Sequence, residues 1–234
     1  MARSVEGRER GDPAKKTRAR AITWGLTVSI MVVVGGLVTR GLWLPAIARG
    51  LVCREDGAAF EAILVENFDP DYVLFERTAA LQEAGVSARV LVPTRTSSVD
   101  SQALNRVSEG VVELMARVAQ VRNVETVPIR EVEPYSLNAA RQVRDVLARD
   151  HVRSVLVVSP ALRSKRSSLV FSAVLSPAGI HVSCLAVLGP HTPENWTASW
   201  HGIQTVTEQF IKLQYYRFYV LGRISRSKSD TTQG

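Results

Sequence analysis

The chain has 234 residues, 46% of them hydrophobic, and a formal net charge of +7. The positive excess lies at the ends: residues 1–20 hold seven basic and three acidic groups, Arg40 adds one, and Arg223, Arg226 and Lys228 outnumber Asp230, leaving eighteen of each sign in residues 41–222. A neutral folded portion argues against nucleic acid binding, which needs a basic face on the domain, and two cysteines with four histidines lacking metal-ligand spacing exclude a four-ligand zinc site.

Residues 21–39, AITWGLTVSIMVVVGGLVT, carry no charge. At about 1.5 Å of rise per residue a helix of this length reaches roughly 28 Å, close to a bilayer's hydrocarbon thickness, so a transmembrane helix is predicted there. Arg3, Arg8, Arg10, Lys15, Lys16, Arg18 and Arg20 precede it and only Arg40 closes its far edge, which places the N-terminus in the cytoplasm. The expected layout is a cytoplasmic basic tail (1–20), a single-pass span of the plasma (inner) membrane (21–39), a membrane-proximal lead-in (40–58), an extracytoplasmic α/β domain (59–222) and a basic flexible tail (223–234). A cleaved signal peptide competes, because Ala46-Ile47-Ala48 has the small-x-small form of a processing site. Against it stand the length of the apolar run and Arg40 between run and tripeptide.

Beyond the lead-in, apolar runs of strand length alternate with segments of helical period, the pattern of a parallel sheet covered by helices. Residues 60–65 read as a first strand, 71–84 as a helix that Gly85 stops, 89–92 as a second strand and 93–101 as a polar loop. The next helix carries Leu104, Val107, Val111, Leu114, Met115 and Val118 on one side, and a third strand occupies 124–129. Residues 136–147 read as helix and 154–158, SVLVV, as a strand whose lack of polar alternation predicts cover on both faces. A helix over 165–175 gives way at Pro177 and Gly179 to a fifth strand over 180–187, where Cys184 reads first as a small buried residue rather than half of a bridge to Cys53. The long helix over 196–220 repeats Trp200, Ile203, Val206, Phe210 and Leu213 at three or four residues. Its end, LQYYRFYVLGRISRSK, suits either packing on the sheet or a lipid interface. The expected fold class is α/β, a Rossmann-like, doubly wound, mainly parallel five-stranded sheet with right-handed connections, preceded by one transmembrane helix. Glu66-Asn67-Phe68-Asp69 after the first strand has no glycine fingerprint, so a dinucleotide cofactor of the usual kind is not expected.

In open α/β sheets ligands lie beyond the carboxyl ends of the strands, near the switch in strand order. Glu66, Asn67 and Asp69 follow strand one, Glu133, Ser136 and Asn138 follow strand three, and Ser159, Arg163, Lys165 and Arg166 follow strand four, so these loops should share one rim. A helix starting near Ser164 would offer unpaired N–H groups and a partial positive end worth about 0.3–1 kcal/mol to an anion. The three basic side chains beside it suit phosphate or carboxylate. The same residues also fit structural duties: a serine cap in SKRSS, Asn138 as a loop brace, Glu133 in a surface ion pair. There is no GxSxG elbow and no P-loop; Glu66 with Glu133 is a candidate carboxylate pair for acid–base work.

Residues 133–147, EPYSLNAARQVRDVL, and 154–171, SVLVVSPALRSKRSSLVF, stand in order behind an anchor, the LWLPAIARGLV lead-in and the FEAILVE strand. Their order and spacing resemble the ElyC/SanA/YdcF family of small, usually membrane-anchored α/β domains, over roughly residues 22–221. Glu133, Asn138 and Ala139 match that family's E…T-x-E-N-A segment, with Tyr135 and Leu137 at its threonine and second acidic positions. With one residue inserted, Ser159 and Arg166 match the ends of its T-S-x-Y/F-H-x-x-R-A turn, with Arg163 at the histidine, while Glu66 and Asn67 replace residues near its usual glycine pair. The resemblance implies an envelope factor that binds or processes an anionic cell-envelope precursor (lipid-linked sugar, peptidoglycan or exopolysaccharide), with the lipid bilayer and a phosphorylated precursor as partners. The departures at the glycine pair and the histidine imply the alternative, a non-catalytic binding or scaffold module with a degenerate site.

Overall fold

The uncharged N-terminal run is helical, but it does not continue as one rod. In the computed structural model, which describes residues 13–54, 59–67, 71–87, 89–96, 102–130 and 132–222, helix α1 (Pro13–Val38) stops at Thr39 and α2 (Arg40–Arg49) leaves at an angle of 66°. The Thr39 hydroxyl donates back to Gly35 O at 2.7 Å, a bond that bends helices, and Trp43 Nε1 donates to Gly36 O at 3.0 Å across the break. Among the described residues no single helix is long and apolar enough to cross a membrane, although Trp24–Val38 and Arg40–Arg49 satisfy length and composition as a bent pair. The helix expected over 21–39 lies within α1, which ends one residue earlier, at Val38. Large apolar side chains between Trp24 and Val38 are all exposed. The N-terminal tail over 1–12, Asp69 and the tail over 223–234 lie outside the described residues.

Residues 45–234 form a second compact unit. Strand β1 (Ala62–Val65) leads to α3 (Tyr72–Glu83), β2 (Val90–Thr96), α4 (Gln102–Val118), β3 (Val124–Arg130), α5 (Tyr135–Arg149), β4 (Ser154–Pro160), α6 (Ala161–Leu175), β5 (His181–Val187) and α7 (Trp200–Gln214), followed by a π-helical turn (Tyr215–Val220). The strands pair in parallel in the order β3-β2-β1-β4-β5, with Leu64 aligned to Leu91 on one side and Val157 on the other. Chain order reverses between β1 and β4, which makes their carboxyl ends the switch point.

Strand side chains alternate, and here both faces are apolar. Ala62, Leu64, Leu91, Val155 and Val157 enter one core with Leu137, Val143, Phe171 and Tyr216, whereas Ile63, Val65, Val90, Val92, Leu156 and Val158 enter a second with Leu74, Phe75 and Val112. The SVLVV strand is covered on both sides, as its composition requires. Each fully buried Phe or Leu contributes about 1.5–3 kcal/mol, so the two layers rather than helix propensity hold the fold.

Helix ends follow local chemistry. Asp71 caps α3 by accepting from Val73 N–H at 3.1 Å, and Gly85 stops it at φ +75°, a left-handed conformation. Elsewhere tertiary partners override the sequence pattern. Strand β2 runs on to Thr96 because β3 pairs with it as far as Arg130, so the predicted polar loop begins later. The predicted inner face of α4 is rotated: Val112 and Ala116 are buried while Val107, Leu114 and Val118 are exposed, and Leu104 lies outside the described side chains. Helix α6 starts at Ala161, four residues before the expected start, because β4 passes straight into it at Pro160. Cys184 is buried as expected, yet it is bridged to Cys53, with Cα atoms 6.3 Å apart. That bridge corrects the reading of Cys184 as a plain core residue: the lead-in after α2 bonds to the start of α6 through Leu51 O and Cys53 N–H, bringing together two thiols that are remote in sequence.

Candidate functional site

At the switch point β1 and β4 leave the sheet side by side, and residues of like parity emerge on one face. Glu66 follows Val65, and its N–H continues the ladder to Val158 O at 2.9 Å. The Glu66 side chain is 1% exposed, and its Oε2 accepts hydroxyl hydrogens from Ser159 and Ser167. Ser159 ends β4 and Ser167 lies in the second turn of α6, so one carboxyl ties the sheet to the helix that follows.

Arg166 sits one residue earlier on α6 and is turned inward, 8% exposed. Its Nη1 donates to Ser136 Oγ at 2.8 Å, its Nη2 to Gln209 Oε1 at 3.4 Å, and its guanidinium lies 5.5 Å from the Tyr216 ring centre. Tyr216 Oη in turn accepts from Ser136 N–H at 3.2 Å. One buried cation thus joins α5, α6, α7 and the π-helical turn. Burial pushes the Arg166 pKa down, and the nearby Glu66 charge opposes that shift. Among the described residues, Glu66 Oε1, Asn67 Oδ1 and Arg166 Nε are buried here without a hydrogen-bond partner.

The remaining candidates take separate places. Arg163 is half-buried and Lys165 is exposed. The amino end of α6 has no side-chain cap, but the lead-in crosses it: Lys165 N–H donates to Leu51 O at 2.9 Å and Cys53 N–H donates to Ser164 Oγ at 2.9 Å. Glu133 is exposed and accepts from Tyr135 N–H at 3.0 Å, opening α5, while Asn138 Nδ2 donates to Arg130 O at 2.5 Å and braces the end of β3. Glu66 and Glu133, the candidate carboxylate pair, therefore bond to different elements, Glu66 to Ser159 and Ser167 and Glu133 to the start of α5. The structure brings together Glu66, Ser159, Arg166 and Ser136 and leaves Glu133 and Asn138 in local duties.

Sequence reasoning missed Ser167, Gln209 and Tyr216. Ser167 had a readable signal, since it follows Ser159 by eight residues across a strand-to-helix junction. Gln209 and Tyr216 had none, because their approach depends on how the terminal helix docks. In the segment before that helix, Trp196 is buried and anchors it, whereas Trp200 is exposed. Thr192 N–H donates to Asn195 Oδ1 at 2.7 Å, which folds the segment between His191 and Trp196 into a local turn.

An all-parallel sheet in this order, with polar residues gathered at its switch point, defines a Rossmann-like α/β domain. No protein-family model and no curated protein matches the sequence. Among solved structures the chain is similar to the reductase domain of an aureusimine biosynthetic cluster, at 18% identity and a TM-score of 0.23, over 50% of this chain and 39% of that one. At that score the likeness bears on neither fold nor function.

Proposed function

We propose that this chain is a membrane-anchored, extracytoplasmic envelope factor whose switch-point residues bind an anionic cell-envelope precursor such as a lipid-linked sugar phosphate. The observation that carries this reading is the set of buried, unpartnered atoms, Glu66 Oε1, Asn67 Oδ1 and Arg166 Nε. Each such atom costs about 1–3 kcal/mol if it stays unsatisfied. A ligand that both donates and accepts hydrogen bonds relieves that cost: sugar hydroxyls suit the Glu66 and Asn67 oxygens and Arg166 Nε, and phosphate suits Arg163 and Lys165 near the start of α6.

The location has its own support. An uncharged helix behind a basic flank fits an N-terminal anchor, and the Cys53–Cys184 bridge suits an oxidising compartment. Ala48 is fully buried within α2, which disfavours processing at Ala46-Ile47-Ala48. The resemblance to the ElyC/SanA/YdcF family points the same way. A second reading, a non-catalytic scaffold, draws on one observation: Arg166 already bonds Ser136 and Gln209 and so braces three helices.

Calorimetric titration of the full chain in mild detergent with a short-chain polyprenyl phosphate sugar tests the proposal. Binding is expected to weaken about tenfold, or about 1.4 kcal/mol, in Arg163→Ala with Lys165→Ala, and again in Glu66→Gln. Arg166 is unsuited to this test because removing it unties helices. Wild-type protein that takes up no ligand would leave the scaffold reading, and product release during titration would extend binding to processing.

A further inference from the structure

We infer that the outward face of the terminal helix is a docking surface for an anionic lipid bilayer. Val206, Gln209, Leu213, Tyr216 and Val220 face inward and are buried. The opposite side is apolar as well: Trp200 is 71% exposed, Ile211 61% and Phe218 72%, with Ile203, Phe210 and Tyr215 also exposed. At about 100° per residue Trp200, Ile203, Phe210 and Ile211 fall within roughly a third of the helix circumference. Tyr215 and Tyr219 stack at 5.3 Å and carry the stripe through the π-helical turn. Apolar cover on two sides of one surface helix marks an interaction face.

Composition and charge select the occupant. Aromatic rings interleaved with basic residues are the makeup of segments at a lipid headgroup layer. Glu208 is paired with Lys212, which leaves Arg217 and the following Arg223, Arg226 and Lys228 opposed by Asp230 alone. A second copy brings a face of the same sign, whereas anionic lipid neutralises Arg217 and the basic sequence that follows it, at about 1 kcal/mol per basic residue near the surface.

Connectivity adds a third reason, which rests on the membrane anchor proposed above. Cys53 is fixed to Cys184 of β5 and follows Val38, the last residue of α1, by fifteen positions. Ten of those are helical in α2, so the tether spans at most about 30–35 Å. An inserted α1 therefore keeps the domain within that reach of lipid and raises the effective concentration of the surface for α7.

The test uses the full chain in vesicles of phosphatidylcholine with or without phosphatidylglycerol. The native cysteines are bridged, so Phe218→Cys, Ile211→Cys and, as a control on α3, Glu83→Cys each accept one fluorescent label. Lipid-borne spin quenchers are expected to quench positions 218 and 211 several-fold more than 83, more so with phosphatidylglycerol and less at high salt. Equal quenching at 218 and 83 overturns the inference. Label-to-label contact between copies at 218 in dilute detergent also overturns it, by giving the face to a second copy. Release of the chain by alkaline carbonate would instead reject the anchor, while quenching by added vesicles would still read the α7 face.

Discussion

Removing the Cys53–Cys184 bridge should act mainly on the unfolded chain. The bond closes a loop of 131 residues, for which loop-closure entropy amounts to about 17 cal/mol/K, or about 5 kcal/mol at 25 °C. In the folded state the lead-in keeps other ties after the bond is gone. Leu51 is 2% exposed, worth about 1.5–3 kcal/mol, and the bonds from Lys165 N–H to Leu51 O and from Cys53 N–H to Ser164 Oγ add about 0.5–1.5 kcal/mol each. The native arrangement of Cys53→Ala with Cys184→Ala is therefore expected to persist, with most of the entropic cost appearing as lost stability. At about 2–4 °C per kcal/mol for a domain of this size, the melting temperature should fall by about 10–20 °C. Thermal unfolding of the full chain in mild detergent, followed by near-ultraviolet circular dichroism with and without reductant, reads this directly. A fall below about 3 °C, or two titratable thiols in protein matured in an oxidising compartment, would refute the reasoning.

Arg166→Ala should destabilise by about 3–5 kcal/mol in denaturant titration, because Ser136 and Gln209 lose their partner and α5, α6 and α7 lose their common tie. Arg166→Met, which refills the volume without the charge, should lose less. Gly202→Ala should cost about 1–3 kcal/mol or more in the same assay, since the new Cβ would lie 2.2 Å from the backbone oxygen of Trp196, which cannot swing aside. Asp150 predicts an acid limb: hydrogen bonds from Arg89 and then Arg149 hold its carboxyl below the ordinary range. A depressed folded value contributes stability that is complete above the unfolded value of about 3.9 and is lost as pH falls through the folded one. Asp150→Asn should flatten the stability curve in that acid window, and an unchanged curve would remove Asp150 from the account.

The sheet was legible because burial on both faces leaves a mark that a helix surface does not. Val155 to Val158 cannot alternate with polar residues when both neighbours are layers of apolar side chains, so SVLVV reads as a central strand from composition alone. Helix faces were less legible, for a specific reason. Both α4 and α7 carry apolar residues on two sides, and a period of three or four residues fits either: Val107, Leu114 and Val118 compete with Val112 and Ala116, and Trp200 and Phe210 compete with Val206 and Leu213. Only packing decides which stripe faces the sheet.

The candidate site divides along the same line between topology and docking. That Glu66, Ser159 and Arg166 would gather follows from strand order, since the residues ending β1 and β4 must meet wherever the sheet reverses its winding. Their chemistry did not follow, because it depends on whether a side chain points out to solvent or into the layer. Counting from Leu64 and Val157, which enter one core, parity sends Glu66 and Ser159 to that same face, beneath α6. Arg166 lies on the inner side of α6, four positions before the buried Val170, whereas Lys165 is exposed on its outer side. An exposed basic turn on paper is therefore two different things in space: Lys165 faces water, while Arg166 is desolvated and tied to its neighbouring helices, its Nε buried without a hydrogen-bond partner among the described residues. Because the cost of those open atoms falls on the folded chain alone, a ligand that meets them raises stability as it binds. Binding at these residues should consequently register as a rise in melting temperature that Glu66→Gln diminishes.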